Sequence, residues 1–98
     1  MQIEKTQEGS TIVVALTGQL NAGSSVELKE ALADREGMQV RIDFSGVEYI
    51  SSAGLRVLLS VHKECLEEQC SLTVCHCNAV VLNVFNISGF DKVLNIEE

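Results

Sequence analysis

The chain has 98 residues, no proline and 46% hydrophobic residues, which suits one compact domain with a core and is too short for two. Its formal net charge is -7, and lysine and arginine form no cluster. Nucleic acids and anionic membranes both require local positive charge on their partner, so both are disfavoured. We therefore expect a single domain over residues 1–98 that binds another protein.

Cellular location follows from what the sequence lacks. No basic segment precedes an apolar run at the N-terminus, and no apolar stretch is long enough to span a bilayer. The cysteines lie close together instead of forming the dispersed framework of small secreted domains; they are Cys65, Cys70, Cys75 and Cys77. We expect a cytoplasmic protein in which these thiols are reduced.

Alternating apolar residues and turn signals predict strands at residues 2–6, 11–17, 38–44, 71–77 and 93–96. Gly18 is expected to break the second strand. Helical spacing predicts helices at residues 24–35, 53–68 and 78–87. Strands and helices alternate after an initial hairpin, so the predicted fold class is α/β, with a mixed four- to five-stranded sheet and helices packed on it.

Capping residues mark the predicted helix ends. Ser24 and Glu27 have the spacing of a capping box. Asn78 is the predicted N-cap of the third helix, and Gly89 its C-terminal stop. In the second helix, helical spacing predicts a buried stripe, formed by Leu55, Leu58, Leu59, His62, Cys65 and Leu66.

Residues 75–77, Cys-His-Cys, raise the possibility of a metal site. Successive side chains in a strand point to opposite faces, so Cys75 and Cys77 would share one face and His76 the other. We therefore expect no metal and no cofactor. A thiol redox function would require an exposed cysteine of low pKa.

The turn at residues 51–54, Ser-Ser-Ala-Gly, allows three interpretations. Ser52 can cap the following helix. A catalytic serine is disfavoured because Ile50 stands where a nucleophile elbow has glycine, and a phosphate-binding loop would need a lysine after its glycine. The third interpretation, a phosphorylation switch at Ser52, is what a family resemblance of this segment implies; the unpaired N–H groups and the helix dipole would favour a phosphate there.

Three segments carry a family resemblance. Residues 43–59, DFSGVEYISSAGLRVLL, resemble the signature of the STAS domain, the fold of bacterial anti-sigma factor antagonists. Residues 16–21 resemble that family's second strand and following loop, and residues 85–90 its last helix and exit. The resemblance covers nearly the whole chain.

The resemblance implies that Ser52 is phosphorylated by a GHKL-type anti-sigma factor kinase, which carries the ATP, and dephosphorylated by a PP2C-type phosphatase. It implies that the unphosphorylated form binds the kinase and frees a sigma factor or other client, and that phosphorylation ends binding. The chain would be a substrate and not an enzyme.

Asn21 and Ser51 stand where many family members have aspartate, which leaves Asp43 as the nearest aspartate in sequence and makes Ser51 a secondary candidate acceptor. Hydrogen bonds to a phosphate on Ser52 are expected from the N–H groups of residues 53–55. The predicted partner-binding residues are Asn21, Ser51, Gly54, Arg56 and Val57.

The strongest alternative keeps the fold without the switch, as a phospho-independent STAS subunit of a lipid-transport ATPase complex. A STAS domain cut from a sulfate transporter is less expected, because the chain begins with Met1 and has no membrane segment.

Overall fold

The computed structural model describes residues 1–33 and 35–97. Its strands are β1 (Gln2–Glu8), β2 (Thr11–Leu20), β3 (Gln39–Ile50), β4 (Ser71–Cys75) and β5 (Asn95–Glu97). Its helices are α1 (Ala22–Ala31), α2 (Ser52–Glu67) and α3 (Ala79–Ser88), and a short 3₁₀ helix covers Phe90–Lys92. No helix in the described part of the chain is long and apolar enough to cross a membrane.

The five strands form one sheet in the order β1-β2-β3-β4-β5. The pair β1 and β2 is antiparallel, and the remaining neighbours are parallel. Each parallel connection passes through a helix, as crossover connections require. The predicted α/β fold with a mixed sheet is confirmed.

The core lies between the sheet and the helices packed on it. Phe44 of β3 and Phe85 of α3 are fully buried, with ring centroids 6.2 Å apart, a separation typical of interacting aromatic pairs. Asn78 caps α3 through a hydrogen bond from the Val81 N–H at 2.8 Å, and Gly89 ends the helix with φ 79°. Both predicted ends of α3 are therefore correct.

Strand β3 continues six residues beyond its predicted end at Phe44. Its buried residues alternate up to Phe44 and then recur every third position, at Val47 and Ile50. The pairing of β2 with β3 shifts register at two places in this stretch, each adding a residue to β3. A β-bulge of this kind breaks the two-residue period, which is why the sequence pattern ended the strand too early.

The second strand also exceeds its prediction. Gly18 does not break β2; it adopts φ +115° within the strand, which then runs to Leu20. Only glycine adopts such a φ readily. Helix α1 accordingly begins at Ala22, two residues before the predicted start at Ser24.

Helix α2 buries part of the predicted stripe, because Leu58 and Cys65 are buried as predicted. The buried residues are Gly54, Leu58, Val61 and Cys65, whereas Leu66 is 69% exposed. Leu55, Leu59 and His62 lie at the boundary. The stripe is rotated by about one position, so Val61 replaces Leu59 at its centre.

The cysteines fall into two pairs. Cys65 at the end of α2 and Cys70 before β4 form a disulfide, which contradicts the expectation of four reduced thiols. The two cysteines are five residues apart in sequence, and the short connection between α2 and β4 brings their sulfur atoms together. Cys75 and Cys77 are free thiols.

Close packing joins the start of α2 to the end of β2. A methyl group on Gly54 would lie 2.8 Å from the Leu20 carbonyl oxygen and 2.9 Å from the side chain of Ile50. Real Cβ atoms do not approach backbone oxygen so closely, and a main-chain carbonyl in a sheet cannot move aside. Glycine at this position therefore sets the distance between α2 and the sheet.

We expect Gly54→Ala to destabilise the protein by about 1–3 kcal/mol, because the cost of overpacking exceeds the gain in helix propensity. The matched control is Gly23→Ala in the first turn of α1, where the nearest contact of a new methyl is 3.5 Å from Asn21 Oδ1. Urea unfolding should show the loss for position 54 only; equal stability of the two variants would contradict the packing argument.

Candidate functional site

Two helices begin side by side at the carboxyl end of β2 and β3. Leu20 and Ile50 are paired as the last residues of the two strands. The Ser51 N–H donates to the Leu20 carbonyl oxygen at 2.9 Å, which extends this pairing into the turn. Asn21 and Ser51 are the N-caps of α1 and α2, so the positive ends of two helix dipoles lie next to each other.

Ser51, not Ser52, caps α2. Its backbone is extended, with φ -90° and ψ 173°, and its Oγ accepts a hydrogen bond from the Gly54 N–H at 3.3 Å. This is the usual conformation and bonding pattern of an N-cap. The interpretation of Ser52 as the cap was wrong by one residue.

Ser52 is the first residue of α2, and it is exposed. Its hydroxyl makes no hydrogen bond within residues 1–33 and 35–97. The hydroxyl is therefore free to react or to bind, whereas that of Ser51 is engaged in the cap.

The N–H groups available to an anion at Ser52 differ from the predicted set. Gly54 N–H donates to Ser51 Oγ, and Leu55 N–H donates to the Ser51 carbonyl oxygen at 2.9 Å. In the part of the chain that the structure describes, the N–H groups of Ser52 and Ala53 have no protein acceptor. Two donors thus remain at this helix start, as expected for the first helical positions.

Asn21 lies in a capping box at the start of α1. Its Oδ1 accepts from the N–H groups of Gly23 and Ser24 at 3.1 and 3.2 Å, and its own N–H donates to Ser24 Oγ at 2.9 Å. Ser24 occupies the N3 position of the box and is not the cap that the Ser24–Glu27 spacing predicted. Asn21 remains exposed beside the α2 start.

The other predicted binding residues differ in exposure. Arg56 is exposed one turn beyond Ser52, so the two share a face of α2. Val57 is half-buried and packs against the core. Gly54 is buried, and the close approach that it permits is to Leu20 of the same chain. Gly54 is therefore not part of the exposed surface, contrary to prediction.

One exposed residue of this edge was not predicted. Tyr49, near the end of β3, is 50% exposed. Tyrosine is enriched at protein interfaces because its ring supplies both apolar contact area and a polar tip. The signal in the sequence is a large aromatic residue beside the serine turn, which lies beyond the predicted end of the third strand.

Asp43 does not lie at the serine turn. It pairs with Cys75 across β3 and β4, and its Oδ1 is 3.3 Å from His76 Nδ1. Burial raises the pKa of Asp43, but hydrogen bonds from Ser45 and the charge of His76 outweigh it, so the pKa lies below its usual value. The structure therefore brings Asp43 together with Cys75 and His76, and not with the predicted phosphoacceptor.

Neither free thiol has the properties of a redox cysteine. Burial raises the pKa of Cys75, which is only 3% exposed. Burial also raises the pKa of Cys77 to about 11, with a smaller contribution from Cys75. A reactive cysteine is exposed and has a lowered pKa, so these thiols do not support the redox alternative.

The two serines should differ in their effect on stability. Ser51→Ala removes the cap of α2 and should cost about 1 kcal/mol, whereas Ser52→Ala removes an unbonded, exposed hydroxyl and should change stability by less than about 0.5 kcal/mol. Urea unfolding of both variants measures this difference. A larger loss for Ser52→Ala than for Ser51→Ala would contradict the assignment of the cap.

The family model described as "Mlab, STAS domain" matches residues 3–96. The chain is 34% identical over 99 residues to the Bordetella bronchiseptica protein BtrV, named as an anti-sigma factor antagonist, covering 98% of this chain and 85% of that one. Among solved structures, an anti-sigma factor antagonist from Thermotoga maritima superposes with a TM-score of 0.87 at 17% identity, covering 98% and 86% of the two chains.

The anti-sigma factor antagonist SpoIIAA of Bacillus also has this fold. Its unphosphorylated form gives a TM-score of 0.82 at 15% identity, covering 99% of this chain and 89% of that one. Its phosphorylated form gives 0.74 at 15% identity, covering 99% and 92%. The match to the family over nearly the whole length, together with the sheet order and the paired helix starts, shows that this chain belongs to the STAS domain family of anti-sigma factor antagonists.

Proposed function

We propose that this protein is a phosphorylation-controlled partner switch in which Ser52 is the phosphoacceptor. The proposal is based on the different roles of two adjacent serine hydroxyls. Ser51 uses its hydroxyl to cap α2, which leaves the exposed Ser52 hydroxyl without an intramolecular bond in the described residues. A kinase can therefore modify Ser52 without removing a contact that stabilises the fold, and Ser51 is a secondary candidate only.

A phosphate on Ser52 suits the start of α2. It adds about -1.5 to -2 charges at neutral pH, next to the unpaired N–H groups of Ser52 and Ala53. The dipoles of α1 and α2 both favour negative charge at this edge. Arg56, one turn along the same face, is a further group that can reach the phosphate. Phosphorylation should therefore leave α2 folded.

What phosphorylation changes is the surface that a partner meets. Asn21, Tyr49 and Ser52 are exposed and uncharged, and the exposed charged residues nearest to Ser52 in sequence, Glu48 and Arg56, have opposite signs. Bringing a dianion into the interface with a partner costs free energy because the phosphate must lose water. The unphosphorylated form therefore binds, and the phosphorylated form is released.

The partner consistent with the family is an anti-sigma factor of the GHKL kinase type, which supplies the ATP. Binding of the unphosphorylated antagonist frees the sigma factor or other client, and a PP2C-type phosphatase restores the binding form. The relative SpoIIAA, whose phosphorylated form has been solved, supports this proposal by analogy. The protein acts by binding, as a substrate of both enzymes, and we propose that it does so in the cytoplasm.

Phosphotransfer tests the proposal directly. The protein is mixed with ATP and the GHKL kinase encoded nearest to its gene, and intact mass is measured for wild type, Ser52→Ala and Ser51→Ala. We expect one phosphate on the wild type and on Ser51→Ala, and none on Ser52→Ala. Full phosphorylation of Ser52→Ala would show that the acceptor is wrong.

Failure of every such kinase to modify the wild type would instead favour the alternative, a phospho-independent STAS subunit of a lipid-transport ATPase complex. The two functions share the fold and differ in whether Ser52 is ever modified. Co-purification with the ATPase subunits from cells would then be the decisive observation.

A charge mimic tests release. Ser52→Asp should weaken kinase binding by more than about tenfold, or about 1.4 kcal/mol, while the melting temperature stays nearly constant because an acidic group is favourable at a helix start. The control is Ser10→Asp, which adds the same charge in the exposed β1–β2 turn at the other end of β2. Equal binding by both variants, or marked unfolding of Ser52→Asp, would contradict the mechanism.

A further inference from the structure

Three side chains with metal-ligating atoms converge at the carboxyl end of β4. They are Asp43, Cys75 and His76, whose ligand atoms all lie within 4.8 Å of one another. Asp43 and Cys75 are paired across the parallel strands β3 and β4, so their side chains leave the sheet on the same face. His76 follows Cys75 directly.

The backbone of His76 explains how it joins them. Strand β4 ends at Cys75, and His76 has φ +60°, which is uncommon for a residue with a side chain. The alternation of a strand therefore does not apply to His76, and its Nδ1 lies 3.3 Å from Asp43 Oδ1. The sequence argument that placed His76 on the face opposite Cys75 is wrong for this reason.

Each side chain is oriented by its surroundings. Asp43 Oδ1 accepts a hydrogen bond from the Ser45 N–H at 2.9 Å. Cys75 Sγ lies 3.6 Å from the Ile42 carbonyl oxygen and is buried. The His76 side chain is 58% exposed and that of Asp43 is 28% exposed. The cluster thus has a buried sulfur on the protein side and an opening to solvent.

The donor set selects the class of ion. Sulfur, imidazole nitrogen and carboxylate oxygen together are typical ligands of zinc, whereas calcium and magnesium take oxygen ligands. A thiolate and a carboxylate balance the two positive charges of the ion. The nearby Arg41 is held by both carboxylate oxygens of Glu97, at 3.1 and 2.7 Å, so its charge is offset.

We propose that Asp43, Cys75 and His76 form a zinc site, with three protein ligands and a fourth position open to water. On binding, the Cys75 thiol gives its proton to solvent and coordinates as the thiolate. Tetrahedral zinc holds its ligand atoms about 3.5 Å apart, so the most distant pair has to close by at most about 1.3 Å. The exposed imidazole of His76 can make this movement.

This site is separate from the proposed switch. Asp43 precedes Ile50 by seven positions in β3, which corresponds to roughly 20 Å along a strand. The zinc site does not depend on phosphorylation of Ser52, and the two proposals can fail independently.

Zinc titration of the whole protein by calorimetry, without reductant and under anaerobic conditions, tests the site. We expect one zinc ion per chain. His76→Gly should weaken zinc binding by more than about tenfold, because mutating even a residue that only supports a metal ligand commonly costs that much affinity. Glycine accepts the positive φ of position 76, so this variant should fold at least as stably. His62→Ala, which removes the other histidine, should bind zinc as the wild type does.

Cobalt identifies the sulfur ligand. Bound Co²⁺ should give a thiolate charge-transfer band that is absent in Cys75→Ser and retained in Cys77→Ser. Absence of saturable zinc binding, unchanged affinity in His76→Gly, or loss of the band in Cys77→Ser but not in Cys75→Ser would each overturn the proposal.

Discussion

The carbonyl oxygen of Leu20 determines how the start of α2 meets the sheet. It accepts the Ser51 N–H at 2.9 Å, and a methyl group on Gly54 would approach it to 2.8 Å. The hydrogen bond positions the cap residue, and the missing side chain lets the first turn of the helix pass over β2. Together they specify that position 51 is the cap and position 52 is the first helical residue. A shift of one residue would make Ser52 the cap and occupy its hydroxyl.

This arrangement requires β3 to reach Leu20 in the right register, and the two bulges in β3 provide it. After Asp43 the strand gains one residue relative to β2 before Gly46 and another before Tyr49. A methyl group on Gly46 would lie 2.8 Å from both the Leu16 carbonyl oxygen and Thr17 Oγ1, so the first bulge is packed tightly against β2. The bulges bring Ile50 opposite Leu20 and allow the two helix starts to adjoin.

These bulges also limit what the sequence can predict. Period-two alternation identified the first half of β3, and helix signals placed α3 between Asn78 and Gly89, because those features are local. Alternation could not predict the end of β3. Each bulge inserts one extra residue, and this insertion returns the side chains of Val47 and Ile50 to the buried face. The adjacent serines posed a similar difficulty, because either can cap a helix in isolation and only the contact with Leu20 decides. His76 was misplaced because its positive φ leaves no mark in the residue pattern.

The neutral side chain of Asn21 has an electrostatic consequence for the edge. Its Oδ1 satisfies the N–H groups of Gly23 and Ser24, as a carboxylate would, but it adds no negative charge. Ser51 likewise caps α2 without charge. The positive ends of both helices are therefore left without a resident anion, and a negative group on Ser52 gains their full attraction without repulsion from either cap. Aspartate at position 21 would retain the hydrogen bonds and reduce that attraction, so the neutral caps would stabilise the proposed phosphate on Ser52 and would increase the change in electrostatic potential that it brings.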